Sequence, residues 1–398
     1  MKKTFSLLAA LGFCVAAAAQ QVLFHTGDES GFPYRIPAIA KAKNGDLIAL
    51  SDRRPCGNDI GYGRVDILMR VSVDNGATWD GAEEVLVGTG EGPLTGFGDA
   101  CLVADRNRNE LTLICCSGDV PYWSNTIDHH QGIMVTHARY DRSKGSWRWG
   151  EPKDISESFY RDLFGGRVPG MFMGSGRICQ SRQVKVGNYY RLYAAMCTHK
   201  GNWVVYSDDF GDTWKVLGSA AVSCAPQGDE PKCEELPDGS VLLSSRKHCG
   251  RYFNIFKFTD RKNAVGAWTG VVDSQQAEGG ISNEGNSCNG EILIVNARRV
   301  KGGKKATLAL QSMPAGPGRS HVTIYFKDIT DPATYRDAKA FAEAWDGSYR
   351  VTEKQSAYST MVQQQDGRIA FLYEEEPGSY QIVYLPLDIR TITGGLYK

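Results

Sequence analysis

The chain has 398 residues, 42% hydrophobic and 23% charged, with 45 basic and 45 acidic side chains. That is the composition of a globular protein with a sizeable core, and its balanced charge gives no support to a nucleic-acid or other polyanionic partner. The seven histidines form no HExxH or HxH pattern and only one doublet, His129-His130, so a solvated loop is expected there and no metal site.

The N-terminus, "MKKTFSLLAALGFCVAAAAQQ", has two lysines, a short apolar run and then small residues. This predicts a secretory signal peptide over residues 1–20, cleaved near Ala19 or Gln20. Phe13 before Cys14 is bulky where a lipobox needs a small residue, so plain export to the periplasm or medium is expected. No later stretch approaches the roughly 20 continuous apolar residues of a membrane-spanning helix. Ten cysteines remain after Cys14 and show no CxxC spacing. Cys115 and Cys116 are adjacent in an apolar strand and should point to opposite faces. Cys224 and Cys233 bracket an acidic segment and leave a disulfide open.

The stretch "GFPYRIPAI" then sets Arg35 in what reads as a buried strand. Arginine is almost never buried unless it is paired, so this position demands a partner. Further along, a turn pair followed by an apolar run recurs six times: "NGDLIAL", "RNELTLICC", "GNYYRLYAAM", "DGSVLLSS", "NGEILIVNA" and "DGRIAFLY". Asn-Gly and Asp-Gly are strong hairpin signals. Each unit is long enough for four strands, which predicts an all-β, six-bladed β-propeller of four-stranded antiparallel blades. A pair of β-sandwiches is the alternative, though it requires no such repetition. No linker interrupts the array, so residues 21–398 read as one domain. The best helix signal is "DAKAFAEAW", Asp337 to Trp345, expected as a surface insertion.

A second repeat, "SVDNGATW" and "SDDFGDTW", fits S-x-D-x-G-x-T-W. Its Asp and hydroxyls can hydrogen-bond local backbone, its Gly supplies a positive-φ turn and its Trp packs under the next strand. Neither copy carries the further ligands of an EF-hand, so these read as structural turns.

With "YRIP" near the start and these Asp-box (BNR) turns after it, the chain resembles the bacterial exo-α-sialidases (neuraminidases) from about Gln21 to its end. The resemblance implies a glycoside hydrolase acting on terminal sialic acid of glycans and glycoconjugates, without a cofactor or metal. It also implies three arginines from different blades gripping the sugar's carboxylate. Physically, such a site needs fixed cations, and guanidinium groups offer bidentate donors that do not deprotonate. Arg35 matches the first clamp position. Arg246, which follows "EELPDG" and its strand, matches the second, in preference to Arg298 in "ILIVNARR". Arg319 in "MPAGPGRSHVTIYF" matches the third.

The nucleophile follows from the same electrostatics. A carboxylate attacking a carbon that bears a carboxylate meets repulsion of roughly 4 kcal/mol at 4 Å. A neutral tyrosine avoids this but needs a base beside it. Tyr358 in "SAYSTM" matches the nucleophile, and Glu230 in "GDEPKCEELPDG" keeps the base's spacing ahead of Arg246, which Glu234 and Glu235 do not. In "SDRRPCGNDIGYG", Arg54 and Asp59 keep the spacing of a site arginine and the acid/base Asp. An enclosed site would help Asp59 hold its proton. Asp99 in "FGDACLVAD" matches a carboxylate near the sugar's amide, with Ala100 where the family has proline. Glu374 in "FLYEEE" matches the partner of Arg35, and Trp123 in "PYWSNT" is either an apolar wall or a packing residue. The rivals are a trans-sialidase, a sialic-acid-binding lectin without catalysis, and a propeller with neither role.

Overall fold

The structure is a computed structural model that describes residues 20–398 apart from 29 and 377–379. The expected signal peptide therefore lies almost wholly outside the described residues. Six small antiparallel sheets follow one another along the chain and form a six-bladed propeller. The inner strands of successive blades include Tyr34–Lys41, Phe97–Ala104, Cys179–Val186, Pro231–Glu235, Ile292–Arg298 and Ser356–Gln363, and neighbouring inner strands touch around the central axis. Apolar side chains alternate to both faces of each blade, and six separate cores result, one between each pair of adjacent blades.

Three features depart from four uniform strands per blade. The second sheet has six strands, one of them a short parallel addition, Gly176–Arg177, beside Phe97–Ala104. The third and fourth sheets have five. The sixth blade takes its outermost strand from the other end of the chain, where Gln21–Phe24 pairs with Gln381–Leu387.

Five of the six expected turn-plus-strand units begin the second strand of a blade, as hairpins require. "NGEILIVNA" does not. Ile292–Arg298 is the inner strand of the fifth blade, and Asn289 before it donates to Ser175 Oγ at 3.0 Å instead of closing a hairpin. The expected surface helix is also corrected. It shortens to Ala338–Ala342, capped by Asp337, and buries Ala338 as well as Phe341 and Ala342, the last two in the core between the fourth and fifth blades. Its last carbonyls accept hydrogen bonds from Lys327 Nζ.

The two S-x-D-x-G-x-T-W turns adopt one hydrogen-bonding pattern. Asp74 accepts from Ser72, Thr78 N and Thr78 Oγ1, and Asp209 does the same with Ser207 and Thr213. Cys115 and Cys116 face different cores, as strand alternation requires. All ten described cysteines are free thiols, so Cys224 and Cys233 share a core without a bridge. Among the described residues no helix is long and apolar enough to cross a membrane.

Candidate active site

In an up-and-down blade, the start of the first strand and the end of the second lie at the same end of the sheet. The expected site residues fall at these places. Arg35 starts the inner strand of the first blade, and Arg54 and Asp59 follow its second strand, Leu47–Arg53. Asp99 starts the inner strand of the second blade. Glu230 immediately precedes the inner strand of the fourth, and Arg246 ends its second strand, Val241–Lys247. Arg319 lies between the second and third strands of the fifth blade, and Tyr358 near the start of the inner strand of the sixth.

Backbone irregularity sharpens this placement. The inner strands of the first, second and sixth blades each carry a register shift at this end, spanning Arg35–Ala38, Gly98–Cys101 and Ser356–Ser359. Bulges re-aim side chains and are common beside active sites. Ile36 and Asp99 take φ of 59° and 56°, a region that costs a non-glycine residue of order 1–3 kcal/mol.

Glu374, fully buried, holds the first of these bulges together with the sixth blade. Its Oε1 accepts from Arg35 Nε at 2.7 Å and from Ile36 N at 2.8 Å, and its Oε2 from Tyr358 N at 3.1 Å. Arg35 thus has its partner. Its guanidinium also sits 5.1 Å from the Tyr358 ring centroid and 4.9 Å from that of Tyr380.

The Tyr358 hydroxyl donates to Glu230 Oε1 at 2.5 Å and accepts from Arg246 Nη1 at 3.2 Å. Arg246 Nη1 also donates to Glu230 Oε2 at 2.7 Å, while its Nε reaches Asp229 at 3.1 Å and Ser287 Oγ at 2.9 Å. Burial pushes the phenol well above its ordinary pKa and the Glu230 charge pushes it further, while Arg246 and Arg35 oppose them. The resting side chain is a neutral phenol with its proton aimed at Glu230. Arg319 lies with its guanidinium carbon 5.4 Å from the Tyr358 ring centroid and makes no ion pair among the described residues. Arg35, Arg246 and Arg319 therefore surround one tyrosine, and two of the three are neutralised by protein carboxylates.

In the first blade, Arg54 Nη2 bridges Asp52 Oδ2 at 3.2 Å and Asp59 Oδ1 at 3.0 Å. Asp52 Oδ2 also accepts from Asp99 N at 3.3 Å, so one buried carboxylate anchors both the arginine and the second bulge. Burial pushes Asp99 well above the usual carboxylate range, and the Asp59 and Asp52 charges add to it. The expected enclosure of Asp59 is not seen. Its side chain is 59% exposed.

Asp52, Asp229, Ser287 and Tyr380 were not singled out from the sequence. Asp229 precedes Glu230 in "GDEP" and Asp52 precedes the arginines in "SDRR", but only the fold brings their partners near. Trp123 is 80% exposed and stacks on His199, with planes within 5° and centroids 5.7 Å apart. Glu234 and Glu235 lie at the far end of their strand from Glu230, bonded to Arg177 and Arg182.

Comparisons with known proteins agree with this architecture. No family model matches the chain. A sialidase from Micromonospora viridifaciens is 27% identical over 375 residues, covering 87% of this chain. A sialidase from Paraclostridium sordellii is 23% identical over 314 residues, covering 75% of this chain and 72% of its own length. The chain spans about half the length (51%) of the Micromonospora relative. Among solved structures, the Hadza microbial sialidase Hz136 superposes with a TM-score of 0.73 at 20% identity, over 94% of this chain and 69% of its own. This chain is thus similar to sialidases over most of its length and shares their propeller fold.

Proposed function

We propose that the protein is an exo-α-sialidase that releases terminal sialic acid from glycans with retention of configuration. The observation that carries this reading is the Tyr358–Glu230 contact at 2.5 Å beneath three convergent arginines. The relatives named sialidases support a glycoside hydrolase acting on sialic acid.

In this reading Arg35, Arg246 and Arg319 bind the substrate carboxylate, with Arg319 supplying the cation that pairs with no carboxylate among the described residues. The Tyr358 oxygen bonds to the anomeric carbon while its proton passes to Glu230. The bond from that carbon to the aglycone oxygen breaks, and Asp59 gives this oxygen a proton. Water then attacks the same carbon, Asp59 takes a proton from it, and the Tyr358 oxygen leaves and recovers its proton from Glu230. Net retention follows from two displacements. Arg54 holds Asp59 at the pocket rim, and Asp99 faces the bound sugar. The paired S-x-D-x-G-x-T-W turns, read as Asp boxes, are structural in this account. We also propose export after cleavage near Ala19 or Gln20, tested by N-terminal sequencing of the protein recovered outside the cytoplasm.

The test of the activity is time-resolved NMR with sialyllactose. The wild type should release α-sialic acid first, and Tyr358→Phe should lose about a thousandfold or more in kcat. Binding without release would favour a lectin, and transfer of sialic acid to added lactose would make the protein a trans-sialidase.

A further inference from the structure

The ring of inner strands has a second mouth, at the ends opposite Arg35 and Tyr358. It opens into a cavity of about 610 Å³ to which all six blades contribute. That size lies within the range of small-molecule sites. From Arg35 to Lys41 along one strand the two mouths are roughly 20 Å apart, so this cavity is distinct from the tyrosine site.

The lining is unbalanced in charge. Five cations, Lys41, Lys43, Arg106, Arg177 and Arg182, face it with only Glu234 and Glu235. Those two carboxylates are already engaged. Glu234 binds Arg177 and Arg182, and Glu235 accepts from Ser181 and from the main chain of Arg182. Lys41, Lys43 and Arg106 make no ion pair among the described residues. Lys41 is half-buried, and burial lowers its pKa with no anion to offset the cost.

Arg106 is held as well as unpaired. Its Nε donates to Gln180 Oε1 at 3.2 Å and its Nη2 to the Gln180 carbonyl at 2.5 Å. Gln180 is fixed in turn by Asp105, to which its Nε2 donates at 2.9 Å. The Tyr190 ring lies 4.9 Å from the guanidinium carbon. A neutral amide orients this cation without pairing it, and burial and the Arg182 charge weigh against it more than the Glu235 charge supports it. Fixed, mutually repelling cations around a cavity are what oxyanion recognition requires.

We propose that this rear mouth is a binding site for a small oxyanionic solute, whose phosphate or carboxylate group is held by Lys41 and Arg106. The proposal does not depend on the activity of the front face. The intact protein is titrated calorimetrically with inorganic phosphate and, separately, with glucuronate, at constant ionic strength. One of them should bind saturably with Kd near or below about 1 mM. Lys41→Gln and Arg106→Gln should each weaken that binding about tenfold or more, while Arg319→Ala at the front leaves it unchanged. Phosphate alone binding assigns a phosphoryl ligand, and glucuronate alone a carboxylate. Among the described residues the Lys41 side chain makes no hydrogen bond, so Lys41→Gln keeps the test open if Arg106→Gln fails to fold. The proposal is overturned if neither solute binds saturably, or if binding survives Lys41→Gln and is lost in Arg319→Ala.

Discussion

Glu374 shows how much one buried carboxylate can organise. It pairs Arg35 at 2.7 Å and accepts main-chain hydrogens from Ile36 and Tyr358, so a cation, a strained bulge and the proposed nucleophile share one anchor. Glu374→Gln keeps one acceptor but places an amide donor against a donor and leaves Arg35 without its counter-charge. Breaking a buried pair this way costs about 3–5 kcal/mol, and a fall in the urea midpoint together with a raised KM for sialyllactose would check it. Asp52 makes a second prediction, with a sign. Burial pushes it from 3.8 up to about 7, against the pull of Arg54. The folded protein therefore holds a proton that the unfolded chain has released, and the stability this gives is full below about pH 4 and lost as pH rises to about 7. Asp52→Asn carries no such proton, so its stability relative to the wild type should climb on the order of 1–4 kcal/mol across that window. Urea titrations at pH 4.5 and 7.5 measure the difference, and an unchanged gap would refute it. The contrast between the two residues shows what was legible. Arg35 advertised a need for a partner because a charge interrupts an apolar strand, and the family's pattern pointed to Glu374. Nothing local marks Asp52 as buried, since "SDRR" reads as a solvated loop until Asp99 is folded over it.

Turn chemistry was the legible part of the elements, and its limits are instructive. Turn pairs located five second strands, three of them as Asn-Gly or Asp-Gly, because a tight turn between paired strands selects such residues. "NGEILIVNA" has the same letters but enters the fifth blade from a preceding blade, and local sequence cannot distinguish a turn within a sheet from one between sheets. The helix was misplaced for a related reason: helix formers gave its position, but alanines and a phenylalanine on one side also bury well, and they fill a core instead of lying on the surface. A matched pair of glycines tests how the turns bind neighbouring blades. Gly76 and Gly367 have φ of 87° and 90°, so alanine is strained equally at both. An added Cβ at Gly367 meets nothing within 4 Å, whereas at Gly76 it would lie 1.9 Å from the Tyr384 hydroxyl of the sixth blade. Gly367→Ala should cost about 1 kcal/mol. Gly76→Ala should cost at least about twice that, since overpacking adds its own 1–3 kcal/mol. Equal urea midpoints for the two variants would mean that the turn does not press on the sixth blade.

At the scale of the whole molecule the ring is closed by a four-residue strand, and closure and function meet at the same junction. Gln21–Phe24 completes the sixth blade, and Leu23 and Phe24 are buried in the core between that blade and the first. The proposed active site straddles this seam: Arg35 comes from the first blade, and Tyr358 and Glu374 come from the sixth. Cleavage near Ala19 or Gln20 would leave the closing strand intact, but a chain beginning after Phe24 would lack it. The loss of two buried apolar side chains removes about 3–6 kcal/mol and exposes Gln381–Leu387 as an unpaired edge, which invites self-association. Such a truncated chain should unfold at lower urea and sediment as a concentration-dependent mixture. Because the seam carries the Arg35–Glu374 pair, its hydrolysis of sialyllactose should fall at urea concentrations where the far blades remain folded. The Trp203 and Trp214 fluorescence of the third blade reports that remainder. If activity and this fluorescence are lost together, the propeller unfolds as one unit and the seam has no separate stability. If activity goes first, the N-terminal strand serves the site as well as the fold, by holding two blades in register across the substrate carboxylate.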